Sequence, residues 1–263
     1  MCEVGVSERH ACDVIALPRA TFRRKSVKND GPLTERIVAL AHERRRFGYR
    51  RITALLQREG SPVNHKRVYR IYSKENLQVR KRRRKKLRTF RQPLAPATRP
   101  NERWSLDFVS DSLANGRRFR TLNVVDDFTR ECLCVEADFS MPGRMVTRVL
   151  DRLIFTRGKP AHLVMDNGPE LTSSAMLSWS TQHNIHLEYI RPGKPIENAF
   201  VESFNGKFRD ECLNENWFLD LAQARSVIEA WREDYNTYRP HSALGYKTPK
   251  EFANQFEPDE LSA

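Results

Sequence analysis

Asp107, Asp166 and Glu202 are the residues of this chain whose type and setting most call for a chemical account. In the run "RWSLDFVS" (103–110) the period of two puts Trp104, Leu106 and Phe108 on one face and Asp107 on the other, beside Ser105 and Val109. Asp is disfavoured in strands, and a half-buried carboxylate there needs a partner such as a metal or another cation. Glu202 falls in "GKPIENAFVESFNGKFRDE" (193–211). A helix beginning near Glu197 lines up Phe200, Phe204 and Phe208 as an apolar stripe and gathers Asn198, Glu202, Asn205 and Arg209 within about 60° on a polar face. Taken alone, that pattern is an amphipathic helix with a solvated glutamate. Asp166 closes "HLVMD" and opens "DNGPE", at the carboxyl end of a strand, where α/β sheets usually carry their sites; its residue type equally suits an Asx turn. Asp126 and Asp127 compete as site residues, but their position before "FTR" at a strand end suits turn capping.

These carboxylates need a scaffold, and the surrounding pattern predicts one. Strands are expected at 103–110, 119–127, 132–139, 162–166 and 186–190, with helices at 143–156, 173–183, around Glu202 and at 221–237. Three successive strands followed by alternating helix and strand imply an α/β domain: a mixed sheet with helices on both faces.

The first hundred residues are different. They hold 27 Lys and Arg against 8 Asp and Glu, whereas the rest holds 19 against 25; the whole chain carries +13. A basic segment joined to a mildly acidic one suits an arm for a polyanion beside a domain with another task. Short helices are predicted at 7–16 and 20–25, a small helix-turn-helix candidate, and at 33–46, 49–58 and 64–76, with Gly60 as a C-cap and Asn64 as an N-cap. On the last of these, Val68 and Ile71 should pack inward, leaving His65, Lys66, Arg67 and Arg70 outward as on a recognition helix in a major groove. "RKRRRKKLRTFR" (80–91), with Lys81, Arg82, Arg83 and Arg84, reads as a phosphate-gripping linker, and "QPLAPATRP" (92–100) as an extended spacer.

Composition narrows the remaining classes. At 263 residues and 39% apolar content the chain can bury a core and has room for about two domains. It has no apolar run of transmembrane length and its start lacks a signal-peptide core, so a cytoplasmic location is expected, with no membrane partner. Five cysteines without CxxC spacing support neither a disulfide framework nor a structural zinc site; Cys132 and Cys134 should pack as small hydrophobes. No metal cluster is expected of the seven histidines, and His183 and His186, the nearest pair in sequence, read as surface residues.

The blocks "RWSLDFVS", "RRFRTLNVVDDFTRE", "MDNGPEL", "GKPIENAFVESFNGKFRDECLN" and "YNTYRPHSALGYKTPKEF" together resemble the signature segments of the OrfB transposases of bacterial insertion sequences. The likeness covers nearly all of 101–253, and "FGYRRITALLQREG" extends it into the basic half. Thirty-five residues separate Asp166 from Glu202, the DD(35)E spacing of that family, and Arg209 stands at its basic position seven residues after the Glu. The resemblance implies a ribonuclease-H-like, integrase-like mixed-sheet catalytic domain at 101–263, preceded by a small all-α helix-turn-helix-type DNA-binding region at 1–79 and a linker at 80–100. It also implies that Asp107, Asp166 and Glu202 are the catalytic, metal-binding carboxylates; Arg209, two turns on along the Glu202 face, suits a substrate phosphate and equally an exposed helical position. Oxygen-only ligands suit Mg²⁺ or Mn²⁺, in a pair. The expected activity is metal-dependent cleavage and joining of DNA by a polynucleotidyl transferase. Its partners would be the element's terminal inverted repeats, target DNA, further copies of the chain and the upstream OrfA protein. Two rivals are a catalytically inactive DNA-binding regulator and a nuclease that cleaves without joining. Met165, where many relatives have Ser, and "PIEN" for the commoner "PTQN" depart from the pattern without removing a carboxylate. The zinc-binding amino-terminal module of retroviral integrases is missing from the pattern.

Overall fold

A computed structural model of the chain describes residues 6–23, 30–79, 96–190 and 198–256. The first part is helical, as its spacing predicts: α1 (Glu8–Val14), α2 (Arg19–Arg23), α3 (Gly31–Glu43), α4 (Tyr49–Arg58) and α5 (His65–Lys74). Glu8 joins α1 to α2 by accepting from Arg23 Nε at 2.7 Å and Arg19 Nε at 3.2 Å. Helices α3 to α5 close on a core of their own, built from Ile37, Leu40, Ile52, Leu55, Leu56, Val68 and Ile71. Gly60 turns the chain out of α4 at φ +81°, a conformation that disfavours side chains. Asn64 starts α5 by accepting the Lys66 N–H at 2.8 Å.

The second part is the expected mixed sheet. β1 (Arg103–Ser112), β2 (Arg118–Asp126) and β3 (Cys132–Asp138) form an antiparallel meander. β4 (His162–Met165) pairs parallel with β1, and β5 (His186–Tyr189) parallel with β4, giving the order β3-β2-β1-β4-β5. β2 is buried along most of its length because both its faces are covered, while the edge strand β5 is at best half-buried.

Helices cover both faces. Trp104, Leu106, Leu163 and Met165 pack against α6 (Gly143–Arg157) and α7 (Ser174–His183). These two helices meet closely at Gly143, where a Cβ would lie 2.1 Å from Ser173 Oγ. The opposite face buries Val109, Phe119 and Val125 under α8 (Ala199–Glu211) and α9 (Leu221–Thr237). Phe204 and Phe208 are fully buried there, each contributing about 1.5–3 kcal/mol by removal from water. Cys132 and Cys134 join the cores on the two sides, as small apolar groups should, and burial pushes both thiols up in pKa. A short α10 (Pro249–Ala253), not anticipated from sequence, is opened by a Thr248–Glu251 capping box.

The two parts touch. Arg44 makes a two-pronged pair with Asp234 on α9 (2.9 and 2.7 Å) and lies over the Tyr238 ring. Arg46 reaches Asp210 at 3.0 Å and Arg58 reaches Glu251 at 2.6 Å. Several arginines of the basic half are therefore committed to the acidic half rather than left open to a polyanion. The charge imbalance along the sequence is in part internal complementarity.

Candidate active site

Helix α8 sits on the sheet by Val201, Phe204 and Phe208. Phe200, expected in that stripe, is half-buried instead, with the Arg130 guanidinium 3.7 Å from its ring centre. The i, i+4, i+8 row drifts by about 80° around a helix, whereas i, i+3, i+7 stays within about 60°, so Val201 replaces Phe200 at the interface.

The polar face runs along β1, as its grouping predicted. Asn198 Nδ2 donates to the Leu106 carbonyl (3.0 Å), Asn205 Nδ2 to Asp107 Oδ2 (2.7 Å) and Arg209 Nη2 to the Ser110 carbonyl (2.9 Å). These three contacts hold the helix against the strand and leave Glu202, in its first turn, turned outward and exposed. A carboxylate in the first turn is favoured by the helix dipole.

Asp107 is the half-buried member of the group. Its Oδ1 accepts the Phe108 N–H at 2.8 Å and its Oδ2 accepts from Asn205. Burial pushes its carboxyl up to about 6; the charges of Asp166 and Glu202 add to the shift, and the two hydrogen bonds oppose it. Glu202 is also raised, by partial desolvation. Asp166 follows β4. The parallel register pairs Ser105 with Val164, so two further residues along each strand bring Asp166 beside Asp107. Asp166 Oδ1 accepts the Gly168 N–H at 3.0 Å, so the Asx turn and the site position coexist. A Cβ on Gly168 would stand 3.0 Å from that same oxygen, which makes glycine the fitting residue there. Glu170, farther along the loop, is tied to Arg120 of β2.

The sequence pattern did not single out Asn123. It is the register partner of Asp107, fully buried, and its Nδ2 donates to Asn205 Oδ1 at 2.6 Å. Asn123, Asn205 and Asp107 thus form one hydrogen-bonded chain across β2, α8 and β1. The available signal was an asparagine inside the apolar run "TLNVV", where a polar side chain needs a partner.

Other expectations divide. Asp126 caps the turn after β2, accepting the N–H groups of Phe128 and Thr129, both at 2.8 Å. Asp127, expected to do the same, is instead buried in an ion pair, accepting from Arg103 Nε and Ser105 Oγ, both at 2.6 Å. On α5, Val68 and Ile71 face the core, and His65, Lys66 and Arg70 are exposed. Arg67 is only half-exposed, and both Arg67 and Arg70 bind Asp30 just before α3, with Nε to Oδ1 at 2.8 Å and Nη2 to Oδ2 at 2.5 Å. Asp30 precedes α3 by one residue, a link that helix periodicity does not reveal. Lys81, Arg82, Arg83 and Arg84 lie outside the described residues. His183 and His186 separate: His183 faces Asp151 at 3.2 Å, and His186 faces His162 across the β4–β5 pair. Among the described residues no helix is long and apolar enough to cross a membrane.

With this geometry in hand, the chain can be set beside known proteins. Residues 28–86 match the profile of an HTH-like domain, and residues 97–195 and 183–249 match two profiles of the integrase core domain. The chain is 51% identical to an uncharacterized 31.7 kDa protein of insertion element IS407 from Burkholderia multivorans, over 95% of this chain and 92% of that one. It is 32% identical to the transposase of insertion sequence element IS904 from Lactococcus lactis (84% and 92%) and 30% identical to the putative transposase InsK of IS150 from Escherichia coli (91% and 90%). A chain of the simian T-cell lymphotropic virus intasome superposes with a TM-score of 0.55 at 19% identity, over 86% of this chain and 76% of that one; this likeness concerns the fold.

Proposed function

The chain belongs to the insertion-sequence transposases that carry an integrase core, and on that premise we propose that Asp107, Asp166 and Glu202 are the carboxylates at which it cuts and joins DNA strands. The observation that carries the assignment is the convergence on Asp107: the parallel register sets Asp166 beside it, and Asn205, on the same helix face as Glu202, donates to it at 2.7 Å. A half-buried carboxylate pressed by two others is poorly served by its two hydrogen bonds and well served by a cation.

The donor set fits hard divalent ions. Three carboxylates from β1, the end of β4 and the first turn of α8 offer oxygen only, which suits Mg²⁺ or Mn²⁺. A pair of such ions, when bound, activates the attacking oxygen and neutralises the leaving one. The protein's own part is to position. Asn205 and the Phe108 N–H each engage one oxygen of Asp107, which fixes the carboxylate plane; Asn123 fixes Asn205 in turn. Gly168 and the Arg120–Glu170 pair hold the loop that carries Asp166. Arg209 spends one N–H on the Ser110 carbonyl and keeps other donors for a substrate phosphate. Hydrolytic cleavage at an element end leaves a 3′ hydroxyl, which then attacks target DNA.

The helical part supplies recognition. Lys66, Arg67 and Arg70 read base edges from α5, with Asp30 holding the two guanidinium groups in a set orientation, and Lys81, Arg82, Arg83 and Arg84 grip phosphates. The corresponding division is 1–79 for recognition, 80–100 as linker and 101–263 for catalysis. Element ends must be brought together, so the working form is a homo-oligomer on paired ends, with the OrfA protein as a further partner. A strand-transfer assay on end DNA with Mg²⁺ or Mn²⁺ tests the assignment. Asp107→Asn, Asp166→Asn and Glu202→Gln should each stop cleavage and joining while end binding persists; near-normal activity of any one of them would refute it.

A further inference from the structure

At the opposite end of β4 from Asp166, three side chains meet that the carboxylate site does not use. His162 and His186 are register partners at the starts of β4 and β5, and Glu188 follows two residues along β5 on the same face. The two imidazole rings have centroids 5.5 Å apart at 76°. His162 Nδ1 is buried and lies 2.7 Å from Glu188 Oε1, so the two atoms already face each other. One ligand atom from each of the three residues falls within 4.8 Å of the other two.

We propose that His162, His186 and Glu188 form a binding site for a divalent transition cation of the zinc type, separate from the carboxylate centre. Two imidazoles and one carboxylate are a donor set that favours Zn²⁺ over Mg²⁺, and three protein ligands leave a fourth, tetrahedral position for water. The exposed edge at His186 opens that position to solvent. The backbones that carry the ligands are fixed by the hydrogen-bonded β4–β5 ladder, which sets the spacing before any ion arrives. Zinc–ligand bonds of about 2.0–2.1 Å set tetrahedral donors roughly 3.3 Å apart, so His162 Nδ1 and Glu188 Oε1 need to part only slightly. The atoms of the group lie within 4.8 Å of one another, so small side-chain rotations close the remaining gap. A bound ion would clip the edge strand to β4 at the end remote from Asp166.

The test uses the full chain stripped of metal with a chelator, then titrated with Zn²⁺ by calorimetry, with metal content measured after dialysis. The wild type and Asp166→Asn should each retain one ion through this site and gain thermal stability from it, with millimolar Mg²⁺ failing to displace it. His186→Ala removes an exposed side chain and should weaken zinc binding by about tenfold or more. His186→Ala with Glu188→Gln should abolish the thermal gain. Unchanged affinity and stoichiometry in these variants, or no zinc-dependent stabilisation of the wild type, would overturn the proposal and leave a plain cross-strand His–Glu contact.

Discussion

Helices α5 and α8 both present a polar face beside an apolar stripe, and the fold treats the two faces in opposite ways. On α8 Asn198, Asn205 and Arg209 each donate to β1, and Glu202 beside them makes no such contact and is exposed. On α5 one carboxylate, Asp30, holds Arg67 and Arg70 from the side, while His65, Lys66 and Arg70 remain exposed. Under the proposed function, the difference matches the task assigned to each face. Chemistry on a phosphodiester needs a few groups held within fractions of an ångström, which a strand can enforce; recognition of a polyanion needs charge that stays accessible.

The comparison breaks first at the carboxylates. Asp107→Asn, Asp166→Asn or Glu202→Gln should lower strand transfer by about 10³-fold or more, since metal-assisted charge stabilisation is worth several kcal/mol. Gel-shift binding to end DNA should be nearly unchanged. If binding and activity fell together, the α8 face would be a recognition surface like that of α5.

The next effect is on stability. Because the pKa of Asp107 is raised to about 6 in the fold from 3.8, its protonated form stabilises the protein fully below pH 3.8, and that contribution is lost as pH rises through 6. Asp107→Asn removes this dependence. Without divalent ions, the unfolding free energy of the variant minus that of wild type should grow by up to about 3 kcal/mol between pH 4 and pH 7. Denaturant melts across that range would check it. A flat difference would mean that Asp107 is not under the strain described.

On α5 the expected losses are comparable or smaller. Lys66→Ala, Arg67→Ala and Arg70→Ala should each cost about 1–3 kcal/mol of preference for end DNA over scrambled DNA. Asp30→Asn should weaken that preference less, because it loosens the two arginines without removing them. Competition binding on the two DNAs separates these outcomes, and equal losses on both would make α5 a general phosphate-binding surface. Replacing Lys81, Arg82, Arg83 and Arg84 by Gln should leave preference intact and reduce the log–log salt slope by up to ~0.9 for each phosphate no longer neutralised. The smallest effect is expected between the two parts: Arg44→Leu, which strands a half-buried Asp234, should lower stability by about 1–2 kcal/mol in thermal melts.

The amino-acid sequence by itself determined the elements, because period-two and period-3.6 patterns are local properties of the chain. All five strands and the helices from 143 to 237 stand within a few residues of their predicted limits, as do Asn64 as a cap and Asp126 in its turn. It also marked Asp107 as a carboxylate in need of a partner, since a strand interior tolerates few charges. What it left open were the partners, which depend on residues distant in sequence. Only the packed sheet brings Asn123 and Asn205 to Asp107, turns Asp127 from a cap into the buried mate of Arg103, and fastens Arg44 to Asp234, 190 residues away. His186 followed the same rule: its neighbour three residues back turned to Asp151, and the parallel ladder gave it His162, because register between strands, not distance along the chain, decides which side chains meet.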